Sequence, residues 1–205
     1  MGRKVAVLAV QGAFIEHERA LGKLGCECIE LRQGPDARKP FDALVLPGGE
    51  STVQAKLLRE LGMLDELRRR IDEGMPVMGT CAGLILLAET VEEGIPAPGD
   101  PNAPVEAGSS APGVFGALPV TVRRNAYGRQ LGSFHTCAPF AGIEGEVPMT
   151  FIRAPYVAKV GAGADVLAEV DGRAVAVRKG NRIGMAFHPE LDPDLRIHEL
   201  FANLI

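Results

Sequence analysis

The stretch Met78-Gly79-Thr80-Cys81-Ala82-Gly83-Leu84-Ile85-Leu86-Leu87-Ala88 sets one cysteine between two glycines, with apolar residues on both sides. A cysteine used only as core filler needs no glycine beside it. Gly79-Thr80-Cys81-Ala82-Gly83 instead has the spacing of a nucleophile elbow, with sulfur in place of a serine oxygen. Such a turn lifts its central side chain out of a sheet edge, and the glycines remove Cβ atoms that would collide there. It also puts the sulfur at a helix N-terminus, where free N–H groups and the helix dipole favour the anion. A thiol pKa ordinarily about 8.5 can then fall by roughly one to several units. The pattern predicts a strand over 77–80 running into a helix over 82–91.

The same grammar extends in both directions. Residues 5–10 form an apolar run ending at Gln11-Gly12, and residues 14–24 carry apolar side chains at helical spacing until Gly25. Strands are expected over 26–31 and 42–46, and a helix over 52–73 that is open to a break near Gly62. Short strands apolar on both faces and alternating with helices imply an α/β fold, a mostly parallel sheet covered on each side. Residues 94–113 are rich in Pro, Gly and Ala and read as a surface loop or partly disordered insertion. Beyond them come strands over 118–123, 131–137, 149–153, 166–170, 174–178 and 182–187, with Asp171-Gly172 as a two-residue hairpin signal. Asp192-Pro193 is expected to start a closing helix running to about Leu204. No internal repeat or linker divides the 205 residues, so a single domain over 1–205 is expected.

Composition narrows the function. Hydrophobic residues make up 46% and charged residues 23%, an ordinary globular balance without a membrane-span pattern. A net charge of -4 with interspersed signs offers no footprint for nucleic acid. Met1-Gly2-Arg3-Lys4 leads straight into a strand-like run, which places the chain in the cytoplasm as an expectation. Four cysteines there are expected as free thiols, and their spacing argues against a metal site. Cys26, Cys28 and Cys137 read as buried small hydrophobes.

A thiolate nucleophile wants a proton-shuttling base, and that base wants an orienting partner. His17, between Glu16 and Glu18, reads as part of a solvated helix face, and His198 reads the same way. His135 sits within an expected strand as a partly buried histidine. His188 ends an apolar strand, where sites of open α/β sheets lie. Pro189 keeps it extended, so Glu190 projects to the same side and can fix the ring. Donors for a developing oxyanion are available in Pro47-Gly48-Gly49-Glu50-Ser51, whose glycines let backbone N–H groups face a ligand. Ser51 or Thr52 is expected to cap the following helix.

The set Pro47-Gly48-Gly49-Glu50-Ser51, Gly79-Thr80-Cys81-Ala82-Gly83 and His188-Pro189-Glu190, in that order, resembles the class I glutamine amidotransferases. The stretches 10–13, 124–130 and 152–155 bring the resemblance closer to the glutaminase subunits of pyridoxal 5'-phosphate synthases. It implies a three-layer, flavodoxin-like α/β/α architecture and hydrolysis of L-glutamine to L-glutamate and ammonia through a γ-glutamyl thioester. Carried over by motif, Cys81 is the nucleophile, His188 the base and acid, and Glu190 its orienter. Gly48, Gly49, Glu50, Ser51, Arg124, Ile152 and Arg153 hold the glutamine, with Gly49 and Ala82 at the oxyanion. The resemblance further implies a (β/α)8 synthase partner that receives the ammonia. Pyridoxal phosphate is then the product of the complex, and the chain needs no cofactor. A stand-alone cysteine hydrolase of related fold and a silent regulatory subunit remain the alternatives.

Overall fold

In the computed structural model, residues 2–95, 106–124 and 133–205 are described. The first half follows the strand–helix alternation: β1 (Lys4–Leu8), α1 (Phe14–Lys23), β2 (Glu27–Leu31), β3 (Ala43–Leu46), α2 (Ser51–Glu60), α3 (Leu64–Asp72), β4 (Val77–Thr80) and α4 (Ala82–Leu87). The second half is mostly strand: β5 (Ala88–Ile95), β6 (Glu106–Pro112), β7 (Leu118–Arg124), β8 (Ser133–Phe140), β9 (Ile143–Ile152), β10 (Tyr156–Val160), β11 (Asp165–Val170), β12 (Arg173–Lys179) and β13 (Arg182–Met185), then α5 (Arg196–Ala202).

The main sheet runs β11-β12-β13-β4-β3-β1-β2. Its β2-β1-β3-β4-β13 portion is parallel, and β12 and β11 add antiparallel strands at one edge. From β1 the chain crosses to β2 on one side, and from β3 it crosses to β4 on the other. Right-handed crossovers therefore put α1 and α2–α3 on opposite faces. The described residues of β3 and β4 are all buried, as a doubly covered sheet requires. A second sheet, β10-β7-β5-β6, and the β8–β9 pair complete the described strands. No helix among the described residues is long and apolar enough to cross a membrane.

Several expected boundaries move. The helix after Cys81 ends at Leu87, and Ala88 turns extended because residues 88–95, with β-branched Thr90 and Val91, pair with β7 and β6. The expected 94–113 loop is part strand: β5 runs to Ile95 and β6 occupies Glu106–Pro112, while 96–105 lie outside the described residues. The break near Gly62 is real. That glycine has φ +68, and α3 restarts with Leu64, Leu67 and Ile71 buried on one face. The closing helix starts at Arg196 rather than at 192, since Asp192 is drawn away from any capping role by Thr150 and His135. Asp171 and Gly172 both have positive φ, as a type I′ hairpin turn demands. Cys26 is buried, but Cys28 is partly exposed and Cys137 exposed, because β8 alternates its faces.

The elbow glycines are required by close approach. A Cβ on Gly83 would lie 2.0 Å from the carbonyl oxygen of Leu46, and one on Gly79 would lie 2.6 Å from the Gly83 carbonyl. Both are backbone obstacles that no rotamer change relieves. Gly83→Ala is expected to destabilise the fold by about 3 kcal/mol, at the upper end for overpacking, with α4 pushed off β3. Urea unfolding of the variant checks this; an unchanged midpoint would show that α4 is not held against the sheet as described.

Candidate active site

The parallel order sends β1, β3, β4 and β13 to one sheet edge, and the segments following them carry Gln11, Gly48, Cys81 and His188. Cys81 sits between β4 and α4 at φ 49, ψ −98. A non-glycine residue held there costs about 1–3 kcal/mol and persists only where its surroundings fix it. Its N–H donates to the Met185 carbonyl at 2.8 Å, tying the turn to β13, and its own carbonyl accepts from Ile85 at 3.3 Å. Among the described residues, Arg153 and Asp171 are the other non-glycines at positive φ. Asp171 serves a hairpin, whereas Cys81 and Arg153 are both expected site residues.

His188 follows β13 after a bend at 186–187, and its N–H donates to the Thr150 carbonyl at 2.8 Å. The expected extended run does not form, because Pro189–Leu191 coil into a single 3-10 turn with His188 as its N-cap. Its Nδ1 lies 2.7 Å from Glu190 Oε1, so the expected partner is in place, but it is the 3-10 turn at Pro189–Leu191 and not an extended backbone that brings it there. The ring also interacts with the Cys81 thiol, which helps to raise the His188 pKa. Cys81, His188 and Glu190 are each only 7% exposed. Burial opposes a charged His188, but the hydrogen bonds and charges of Cys81 and Glu190 prevail and raise its pKa to about 10. Burial likewise opposes the Glu190 anion, yet the His17 and His188 rings hold its carboxyl below the usual range. His188 therefore rests as an imidazolium held by Glu190, poised to give a proton to a leaving group.

Gly48 lies against this ring: a Cβ there would be 2.2 Å from His188 Cε1. The glycine turn is fixed from below by two glutamines. Gln11 Oε1 accepts from the Glu50 N–H at 2.8 Å, while Gln54 Nε2 donates to the carbonyls of Gln11 and Pro47 at 3.0 and 3.2 Å. Gln54 is fully buried.

Residues 7–205 match the SNO glutamine amidotransferase family. The chain belongs to that family. The pyridoxal 5'-phosphate synthase subunit PdxT of Desulfitobacterium hafniense strain Y51 is 55% identical to it over 98% of this chain and 93% of its own. PdxT of Methanocorpusculum labreanum is 50% identical, over 98% of this chain and 97% of its own. A crystal structure of a glutamine amidotransferase shares the fold with a TM-score of 0.83 at 41% identity, covering 98% of this chain and 97% of the other. The architecture is thus that of the class I glutamine amidotransferases, as the resemblance implied.

Within this amidotransferase frame the remaining expected residues separate. Glu50, not Ser51 or Thr52, caps α2, accepting from the N–H groups of Thr52 at 3.2 Å and Val53 at 2.9 Å. It wins because a carboxylate can take two amides at once. Glu50 also pairs with Arg124 at 3.3 Å, whose other arm meets Glu93 at 3.0 Å. Ser51 and Arg124 line a cleft of about 200 Å³. A larger one, of about 660 Å³, lies along β2 between Lys4 and Lys39, away from Cys81. Ile152 is 39% exposed and Arg153 follows it at φ 44, just beyond the Thr150 carbonyl that holds His188. Ala82 opens α4. Residues 125–130 of the quoted motif lie outside the described residues.

Two expectations are overturned here. His17 and His198 are not solvated but fully buried behind Glu190, and His135 is the exposed one, with 53% of its side chain accessible. Gln54 was not expected at the site at all; its only sequence signal was a position one turn into α2 from Glu50.

Proposed function

We infer that the chain is the glutaminase subunit of a pyridoxal 5'-phosphate synthase, hydrolysing L-glutamine to L-glutamate and ammonia. The observation that carries this reading is Cys81, held at positive φ and coupled electrostatically to His188, whose Nδ1 is 2.7 Å from Glu190. The high identity to PdxT subunits over nearly the whole chain supports it.

The Cys81 thiolate attacks the side-chain amide carbon, forming the C–S bond while the carbonyl electrons move onto oxygen. Backbone N–H groups of Gly49 and Ala82 receive that oxyanion, each such donor being worth about 3 kcal/mol of barrier. His188 passes its proton to the departing nitrogen as the C–N bond breaks, releasing ammonia and leaving a γ-glutamyl thioester. Neutral His188 then takes a proton from water, whose oxygen attacks the thioester; the C–S bond breaks and glutamate leaves. Glu190 keeps His188 oriented through both halves. Gly48, Gly49, Glu50, Ser51, Arg124, Ile152 and Arg153 surround the glutamine, Arg124 suiting its carboxylate and Glu50 its ammonium group. The ammonia passes to a (β/α)8 synthase subunit docked on the same chain, and residues 1–205 act as one amidotransferase domain. The test is ammonia release from glutamine, measured with and without the synthase subunit. Release that requires glutamine and rises when the synthase is present is expected; none in either case overturns the reading.

A further inference from the structure

Behind the Cys81–His188–Glu190 cluster lies a second, wholly buried polar chain. Glu190 Oε1 is taken by His188, while Oε2 is buried without a hydrogen bond of good geometry. His17 Nε2 lies 3.3 Å from that Oε2 and 3.1 Å from Thr80 Oγ1. His17 Nδ1 is 3.0 Å from His198 Nε2, and His198 Nδ1 has no partner. Both histidines are fully buried, one on α1 and the other on α5. A solvent-free histidine pair is costly unless its hydrogen bonds are arranged to some end.

Two proton arrangements fit the His17–His198 contact. If His17 Nδ1 carries the hydrogen, its Nε2 presents a lone pair to the Glu190 carboxylate, and His198 Nδ1 must carry an N–H with no acceptor. If His198 Nε2 carries it, His17 Nε2–H points at Glu190 Oε2 and Thr80, and the orphaned His198 Nδ1 is only a lone pair. The second removes an anion–lone pair repulsion and a buried bare donor, so electrostatics select it. Burial lowers the pKa of both rings and keeps them neutral; for His198 it falls to about 3. The charged groups acting on His17 are Glu190, His188 and, on its own helix, Glu16.

We propose that His17, set in its donor tautomer by His198, is a positioning residue for glutamine hydrolysis that holds the second oxygen of Glu190 and so extends the relay to five side chains. The proposal rests on Cys81 being the nucleophile. Loss of the His17 donor leaves the carboxylate with one partner, so Glu190 protonates more readily and stops orienting His188.

The test uses the full chain with its synthase subunit. His17→Ala is expected to lower kcat about tenfold with KM within twofold, and to move the acidic limb of kcat/KM upward by about one pH unit. His17→Gln, whose amide can donate to Oε2, restores most of both. A folded His17→Ala with wild-type kcat and limb, or a His17→Gln no better than it, overturns the proposal. If His17→Ala does not fold, His17→Phe fills the space without donating, and identical pH profiles for Phe and Gln would overturn it equally. The pH dependence of Cys81 alkylation by iodoacetamide reports the same shift without glutamine. If wild type releases no ammonia yet alkylation shifts in His17→Ala, the glutaminase reading falls and the relay stands.

Discussion

Cys81→Ala is expected to abolish ammonia release from glutamine, by about 10⁴-fold or more, because removing a nucleophile leaves only binding and oxyanion stabilisation. The fold should be nearly untouched, since the thiol is small and its backbone bond to Met185 does not use the side chain. Cys81→Gly adds a control on strain. It is equally inactive but frees the backbone at φ 49, and should be more stable than Cys81→Ala by about 1 kcal/mol. A second readout follows from electrostatics. The His188 pKa of about 10 depends on the hydrogen bond and charge of Cys81 as well as on Glu190. Without the sulfur, desolvation gains relative weight and the imidazole should titrate lower, visible as an altered ring chemical shift in an NMR titration. Ammonia released equally by wild type and Cys81→Ala would end the assignment. An inactive variant with unchanged His188 titration would mean that sulfur and ring do not interact in the resting protein.

The parts of the site legible in the sequence are those where backbone geometry dictates residue type locally. The glycines around Cys81 are forced by contact with Leu46 and Leu87, and Pro189 opens the short 3-10 turn that brings Glu190 back to His188. The inner strands β1 and β3 were legible for a similar reason, being apolar on both faces. What escaped depends on contacts between distant segments. Glu16-His17-Glu18 has the look of a solvated helix face, yet α1 packs against α5 and turns His17 inward to meet His198, which is 181 residues away in the chain. Helical periodicity does not tell which face a neighbouring helix will cover. The apolar run of α4 gives no local stop before Thr90 and Val91, and pairing with β7 makes residues 88–95 strand. Likewise β6 hides in Pro/Gly/Ala-rich sequence, because its pairing partner β5 supplies order that its composition does not. Gln54 fell outside the motifs because it works from beneath, holding the Pro47 and Gln11 carbonyls rather than facing the cleft.

Gly48→Ala is expected to be nearly as damaging to catalysis as loss of a relay member, although alanine is the smallest possible addition. The new Cβ would fall 2.2 Å from His188 Cε1 and 2.8 Å from Nδ1, inside van der Waals contact with a ring that has little freedom to retreat. His188 is pinned through its N–H to Thr150 at 2.8 Å and through Nδ1 to Glu190 at 2.7 Å. Backing away breaks the second bond or lengthens the contact to Cys81. The glycine loop is no freer to move, since the Gly48 carbonyl accepts from the Ala13 N–H at 3.0 Å and Gln54 holds the Pro47 carbonyl. A displacement of about 1 Å in a reacting group costs on the order of a hundredfold, so kcat should fall by at least that factor. The stability cost should stay near 1–3 kcal/mol, typical for one surplus methyl. Gly22→Ala provides the contrast, because its Cβ meets nothing within 4 Å and it lies within α1. It should leave the rate unchanged and stabilise by about 0.5–1 kcal/mol. Steady-state glutaminase kinetics beside thermal unfolding separate the two effects. A Gly48→Ala protein with full kcat would require the glycine turn to yield instead of the ring, and the tight placement of His188 would no longer explain why this position is glycine.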